Sequence, residues 1–134
     1  MSTFLVKTEP GEYSYDDLVR DRRTTWNGVT NSLALKHIRS MKKGDLAFFY
    51  HTGKEKQVVG IAKVVSNPYP DPRRKDPTLV VVDLAPQKKL KNPVSLHTIK
   101  SLKKFSTFPL VRIGRLSVMP VTGSEWKGII SLSI

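Results

Sequence analysis

Hydrophobic residues recur along the chain in short bursts, each stopped within a few positions by proline, glycine or a polar cluster. "FLVK" (4–7) predicts a strand ended by Pro10 and Gly11. Ser14, with Asp17 three residues on, is a capping-box start, so 15–22 predicts a short helix with two carboxylates at its positive end. A loop holding Trp26 follows. Asn31 is a good N-cap for "SLALKHIRSM", where Leu35 and Ile38, with Ala34 and Met41, form an apolar stripe while Lys36, Arg39 and Lys43 face water. "LAFFYHT" (46–52) and "QVVGIAKVV" (57–65) predict two strands about a turn containing Gly53, hence a hairpin.

The second half is read the same way. "NPYPDPRRKDP" (67–77) holds four prolines and predicts a loop. "TLVVVDL" (78–84) is almost wholly apolar and predicts a central strand, followed by a basic loop, "PQKKLKNP". Ser95 caps a predicted helix that runs to about Lys104 with Leu96, Ile99 and Leu102 inward. "RLSVMPV" (115–121) reads as extended, and Thr122 with Glu125 opens a last helix through "SEWKGII". No repeat or linker divides the chain, so a single domain over 1–134 is expected. Separated strands with short helices between them predict an α+β fold, a small mixed sheet curled toward a barrel with helices over its openings.

Charge changes the picture. The chain carries 23 Lys and Arg against 11 Asp and Glu, a formal net charge of +12, which points to a polyanionic partner. Residues 84–124 hold eight of the basic side chains, among them Lys88, Lys89, Lys91 and Arg115, and no acid. These four are candidate phosphate-binding residues; the duller reading is a solvated surface kept soluble by repulsion. With no cysteine, thiol chemistry and disulfides are excluded, and His37, His51 and His97 show no metal-ligand spacing. No metal or cofactor is called for. The amino terminus lacks the pattern of a secretory signal, and an intracellular, cytoplasmic location is expected.

Four segments combine polar groups and aromatics where neither periodicity nor turn formation asks for them: "KTEP" (7–10), "WNGVTN" (26–31), "FYHT" (49–52) and "RLSV" (115–118). Together they suit a flat heteroaromatic ring, with Trp26 as a stacking face and Thr8, Asn31, His51 and Ser117 as donors and acceptors for its edge. Each has an alternative. Trp26 can be a plug for its loop, His51 a satisfied structural histidine, Thr8 and Ser117 partners of the backbone, and Lys7 and Glu9 a surface pair. Phe48, Phe49, Tyr13 and Trp126 are assigned to the core, and Tyr69 is left open.

Five strings, in order, resemble the EVE domain family, a PUA-like fold. "FLVKTEP" is similar to its F/W-L-x-K-S-E-P, "WNGVTN" to W-x-G-V-R-N, "MKKGDLAFFYHT" to M-x-x-G-D-x-x-x-F-Y-H-S, "GIAKVVSNPYPDP" to G-x-x-x-V-x-x-x-x-Y-P-D-P, and "RLSVMPVTGSEW" to R-L-S-V-x-P-V-x-x-x-E-W. The resemblance implies a PUA-like barrel whose pocket accepts a nucleobase, and binding of DNA or RNA carrying modified bases without catalysis. Carried over by position, it implies a pocket of Lys7, Thr8, Trp26, Val29, Asn31, Tyr50, His51, Leu116 and Ser117. The chain departs from the pattern at Thr8 and Thr52, where the family has serine, at Thr30, where it has arginine, and at Leu33, where many members have glutamine. The first two keep a hydroxyl and add a methyl; the third removes a cation from the edge of the site. Alternatives carried alongside are a general RNA-binding or small-metabolite module and an enzyme using His51 or Glu9 as a general base.

Overall fold

The computed structural model describes residues Met1–Ile134. Seven strands alternate with five short α-helices: β1 (Thr3–Thr8), α1 (Tyr15–Asp21), β2 (Thr24–Trp26), α2 (Ser32–Arg39), β3 (Leu46–His51), β4 (Gln57–Val64), β5 (Tyr69–Pro70), β6 (Val80–Ser95), α3 (Leu96–Ser101), α4 (Pro109–Arg112), β7 (Val118–Val121) and α5 (Gly123–Leu132). The sheet order is β2-β6-β4-β3-β1-β7, with β5 paired to β6. β1 runs parallel to β3 and every other pairing is antiparallel, giving a mixed sheet curled into a half-barrel.

Local chemistry sets most of these elements. Ser14 and Thr122 each close a capping box, with Asp17 and Glu125 respectively, and Asn31 and Ser95 accept the amides of Ala34 and Thr98. The apolar stripe of α2 buries Ala34, Leu35 and Ile38. Leu5, Phe48, Phe49, Val58, Ala62, Val82 and Leu84 are fully buried on the two faces of the sheet, Phe49 against Tyr15 and Trp26 and Phe48 against Trp126. Each large apolar side chain so buried contributes about 1.5 to 3 kcal/mol. Trp126 is half-buried and stacks on Phe48 with ring centroids 3.8 Å apart, so its assignment to the core agrees with its packing.

Several expectations are corrected. β6 absorbs the predicted loop "PQKKLKNP", because β4 continues to pair with it as far as Lys89 and again at Val94 and Ser95. Between those pairings only Val59 faces Leu90–Pro93, and the extra residues bulge outward, where the Asn92 amide donates to the Ser133 carbonyl at 3.1 Å. β6 is also second from the edge rather than central. Trp26 ends a strand instead of lying in a polar loop: Thr24–Trp26 pairs with Leu84–Val82. The helix after Ser95 stops at Ser101, since Leu102 is extended, and continues only as a 3-10 turn over Lys103–Phe105. The segment 115–121 is a strand only from Val118, and the four-residue α4 and two-residue β5 are too short to leave a periodic signal.

Candidate functional site

One wall of the site is the segment leaving β1. Lys7 is held by its own amide, which donates to the Ser117 carbonyl at 2.9 Å, and by Nζ, which donates to the Gly114 carbonyl at 2.9 Å. Its Nζ also lies 5.7 Å from the Tyr50 ring centroid. Burial pulls the Lys7 ammonium below the usual lysine range. Pro10 and Gly11 turn the chain, the amides of Glu12 and Tyr13 return to the Glu9 carbonyl, and Thr8 Oγ1 donates to the Tyr13 carbonyl at 2.9 Å.

This turn is anchored through α1. His51 Nε2 accepts the Tyr15 amide at 3.0 Å, while Nδ1 lies 2.9 Å from Glu55 Oε1. An acceptor at Nε2 leaves the proton on Nδ1, and that hydrogen bond holds the Glu55 carboxyl below its usual range. The Tyr15 ring lies flat against Gly60, where a Cβ would come within 2.5 Å of it, and its hydroxyl donates to the Ile61 carbonyl at 2.8 Å.

The opposite wall is the segment 24–31. Asp83 on β6 gathers four hydrogen bonds, from Thr25 Oγ1 at 3.1 Å, Tyr69 Oη at 2.6 Å, and Arg23 Nε and Nη2 at 3.1 and 2.8 Å. Burial raises the Asp83 carboxyl, but the bonds from Tyr69, Arg23 and Thr25 outweigh it and hold it below the usual carboxylate value. The network ties β2 to β6 and to the proline-rich segment, so Tyr69 has a structural role. Trp26 follows, 8% exposed, its ring edge-on to Phe49 at 5.4 Å. Gly28 takes φ +80°, the turn that brings Asn31 round to cap α2.

Between these walls lies a cavity of about 590 Å³. Lys7, Thr8, Trp26, Val29, Asn31 and Ser117 all line it. Tyr50, His51 and Leu116 do not; they are buried behind it, at 3%, 7% and 3% exposure. The wall further contains Glu9, Glu12, Tyr13, Thr24, Thr25, Asn27, Gly28 and Thr30. Tyr13, partly buried and packed against the core as expected, is thus also a second aromatic at the cavity, and no Lys7–Glu9 ion pair forms. Thr24 and Thr25 carry no signal in the sequence, because the three-residue strand they occupy is too short to leave a period. Asn31 uses Oδ1 on its cap, whereas Ser117 Oγ makes no hydrogen bond within the protein.

Of the phosphate candidates, Lys88, Lys89, Lys91 and Arg115 are all exposed, the three lysines on β6. Lys89 donates to Asp16 Oδ1 at 2.9 Å, and Arg115 lies two residues before Ser117 at the cavity wall. No group of three or more histidines and carboxylates is placed to hold a metal ion, and no helix is long and apolar enough to cross a membrane.

Known proteins share this architecture. The family model described as EVE domain matches residues 2–132. Human thymocyte nuclear protein 1 is 32% identical over 165 residues, covering 98% of this chain and 73% of its own. An NMR structure of a Rhodopseudomonas palustris protein superposes with a TM-score of 0.94 at 38% identity, covering 99% of this chain and 93% of that one. Human thymocyte nuclear protein 1, solved in complex with DNA containing 5-methylcytosine, superposes with a TM-score of 0.90 at 29% identity, covering 99% and 98%. Matched by the family model over residues 2–132 and superposing along nearly its whole length on solved relatives, the chain belongs to the EVE domain family.

Proposed function

We propose that the protein is a non-catalytic nucleic-acid-binding module of one domain, which receives a modified nucleobase of DNA or RNA in the cavity beside Trp26 while exposed basic residues hold the phosphates. The observation that carries this reading is the cavity itself. One rigid aromatic wall, a half-buried cation and short polar side chains converge on a space of about 590 Å³, of the size and mixed polarity that suits one flat heterocycle and its sugar. The human relative in complex with 5-methylcytosine-containing DNA supports the same assignment. Within it, Lys7, Thr8, Trp26, Val29, Asn31 and Ser117 touch the base, and Tyr50, His51 and Leu116 support the wall from behind. Lys88, Lys89, Lys91 and Arg115 take phosphates, which position the strand without specifying it. A cytoplasmic location belongs to the same proposal.

A reading as an enzyme finds less support. Both nitrogens of His51 are engaged, by the Tyr15 amide and Glu55, so no lone pair remains to take a substrate proton. Incubation with modified and plain oligonucleotides tests the proposal: retention of the modified strand with no new product supports it, and turnover overturns it. Measured against salt, the log affinity for a single strand should fall with a slope near −3 if about four phosphates are neutralised. A slope near zero removes the polyanion.

A further inference from the structure

A second groove, of about 420 Å³, opens on the far side of the wall that carries Trp26. It shares Thr24, Thr25 and Asn27 with the first cavity, so the two sites lie side by side across one short segment. β2 is the terminal strand of the sheet, and nothing in the sheet covers its outer edge. The groove's other side is the turn after β5. There the buried Asp71 accepts the Arg73 amide at 3.0 Å and lies 3.6 Å from Arg73 Nε. The Arg73 side chain stays 67% exposed. Arg74 borders the same turn where it meets Gly28, Val29 and Thr30. The other acid of the turn, Asp76, is occupied by the amide and hydroxyl of Thr78 at 2.9 and 2.6 Å. Tyr69, its hydroxyl held by Asp83, adds an aromatic surface.

We infer that this groove receives the nucleotide adjoining the pocketed base, with the intervening phosphodiester on Arg73 and Arg74. The inference rests on the base-pocket reading. A strand whose base enters the first cavity must carry its backbone over one rim, and the rim at Asn27 leads to Arg73, whose guanidinium is paired with Asp71, with Arg74 next to it on the same turn. A guanidinium pre-oriented by a carboxylate presents its remaining N–H groups to a phosphate as a fork. The segment "DPRR" thus acts as a positioning surface for the flanking phosphate, distinct from the lysines of β6.

The test compares binding of the 5-methyl-2′-deoxycytidine nucleoside with a single-stranded pentanucleotide centred on it, and with the same pentanucleotide made abasic at its centre. Arg73→Ala/Arg74→Ala should shrink the pentanucleotide's advantage over the nucleoside about five- to tenfold and flatten its salt slope by about 0.7, the share of one phosphate. The control Lys42→Ala/Lys43→Ala removes equal charge beside Leu46, at the other end of the β1–β3 pair from Lys7, and should do neither. An unchanged slope and ratio in the arginine variant, or an equal loss in the lysine control, overturns the groove. Failure of the base pocket reads differently: the parent protein would then bind the abasic strand as tightly as the intact one. Inorganic phosphate that competes with the pentanucleotide only at an equal level in the parent and the arginine variant would also count against the groove.

Discussion

His51 and Tyr15, 36 positions apart, are joined by a hydrogen bond from the Tyr15 amide to the imidazole Nε2 at 3.0 Å. The bond seats the first turn of α1 on the end of β3. His51→Leu should leave that buried amide without a partner and cost roughly 1 to 3 kcal/mol. His51→Gln, whose carbonyl can accept the same amide, should recover part of the loss. Denaturant unfolding of the two variants checks this, and equal stabilities would show that the bond does not hold the helix.

Trp26→Ala should destabilise the protein by about 3 to 5 kcal/mol, because the indole is packed against Phe49 as well as lining the cavity. Burial of the indole means that it anchors its segment as well as facing the cavity. Trp26→Phe is the informative variant. It should keep most of the Phe49 contact while weakening binding of a modified oligonucleotide about threefold to tenfold, part of the 1 to 3 kcal/mol typical of a stacked base. Parental affinity in a folded Trp26→Phe protein would show that stacking lies elsewhere.

Lys7→Met separates stability from binding. A lysine pulled below its usual range by burial opposes folding while charged, and the penalty is relieved as pH rises through its folded value. The uncharged variant should therefore melt no lower than the parent at pH 7, yet bind oligonucleotides more weakly. In the parent, affinity should decline on the alkaline side earlier than ordinary lysines titrate. Melting curves and titrations over pH 7 to about 10 decide.

Asp83 predicts a loss of stability in acid. Its carboxyl is held below the ordinary value of 3.8, so its contribution is fully present above that value and disappears as pH falls through the lower folded one. Asp83→Ala should cost about 2 kcal/mol near neutrality, since the Arg23 pair is largely exposed and the bonds from Tyr69 and Thr25 carry more. The difference between parent and variant should narrow as pH falls below 3.8 in acid unfolding. A constant difference would mean that the charge is not what binds β2 to β6.

Discrimination among modified bases should be modest when only a methyl is added. One buried methyl group contributes roughly 0.8 kcal/mol, about fourfold. Larger preferences should arise where a modification brings a hydrogen-bonding group within reach of Ser117 Oγ or the Asn31 amide. Titration with matched oligonucleotides checks this, and a hundredfold preference for a bare methyl would overturn the assignment of the polar wall.

What could be read from the sequence follows from how local each signal is. Ser14, Asn31, Ser95 and Thr122 announce helices because capping involves residues three apart. The β3–β4 hairpin shows in two continuous apolar runs about a short turn. β2 did not, since three residues carry no period and its pairing partner lies some sixty positions away. For the same reason Trp26 read as a loop residue. Tyr13 was missed because the turn after Pro10 has no periodicity and its ring reaches the cavity only once Thr8 and Glu9 fold back on it. Tyr50, His51 and Leu116 came from position within a motif, and motif position does not say which side of a strand faces the cavity. Lys88 to Lys91 looked like a loop because exposure and charge are shared by loops and by the outer face of a bulged strand.

The pairing of β1 with β7 has a consequence for the order of assembly. Val6 meets Val118 and Lys7 donates to Ser117, contacts that close more than a hundred residues of chain. The β3–β4 hairpin closes only a handful, and contacts that close short loops form ahead of those that close long ones. By loop length alone, Ser117 is expected to join the cavity later than Tyr15 meets Gly60, since its pairing with Lys7 closes the longer stretch of chain. On the ribosome the site stays open on that side until β7 has emerged, so a nascent or truncated chain that lacks β7 has no complete cavity.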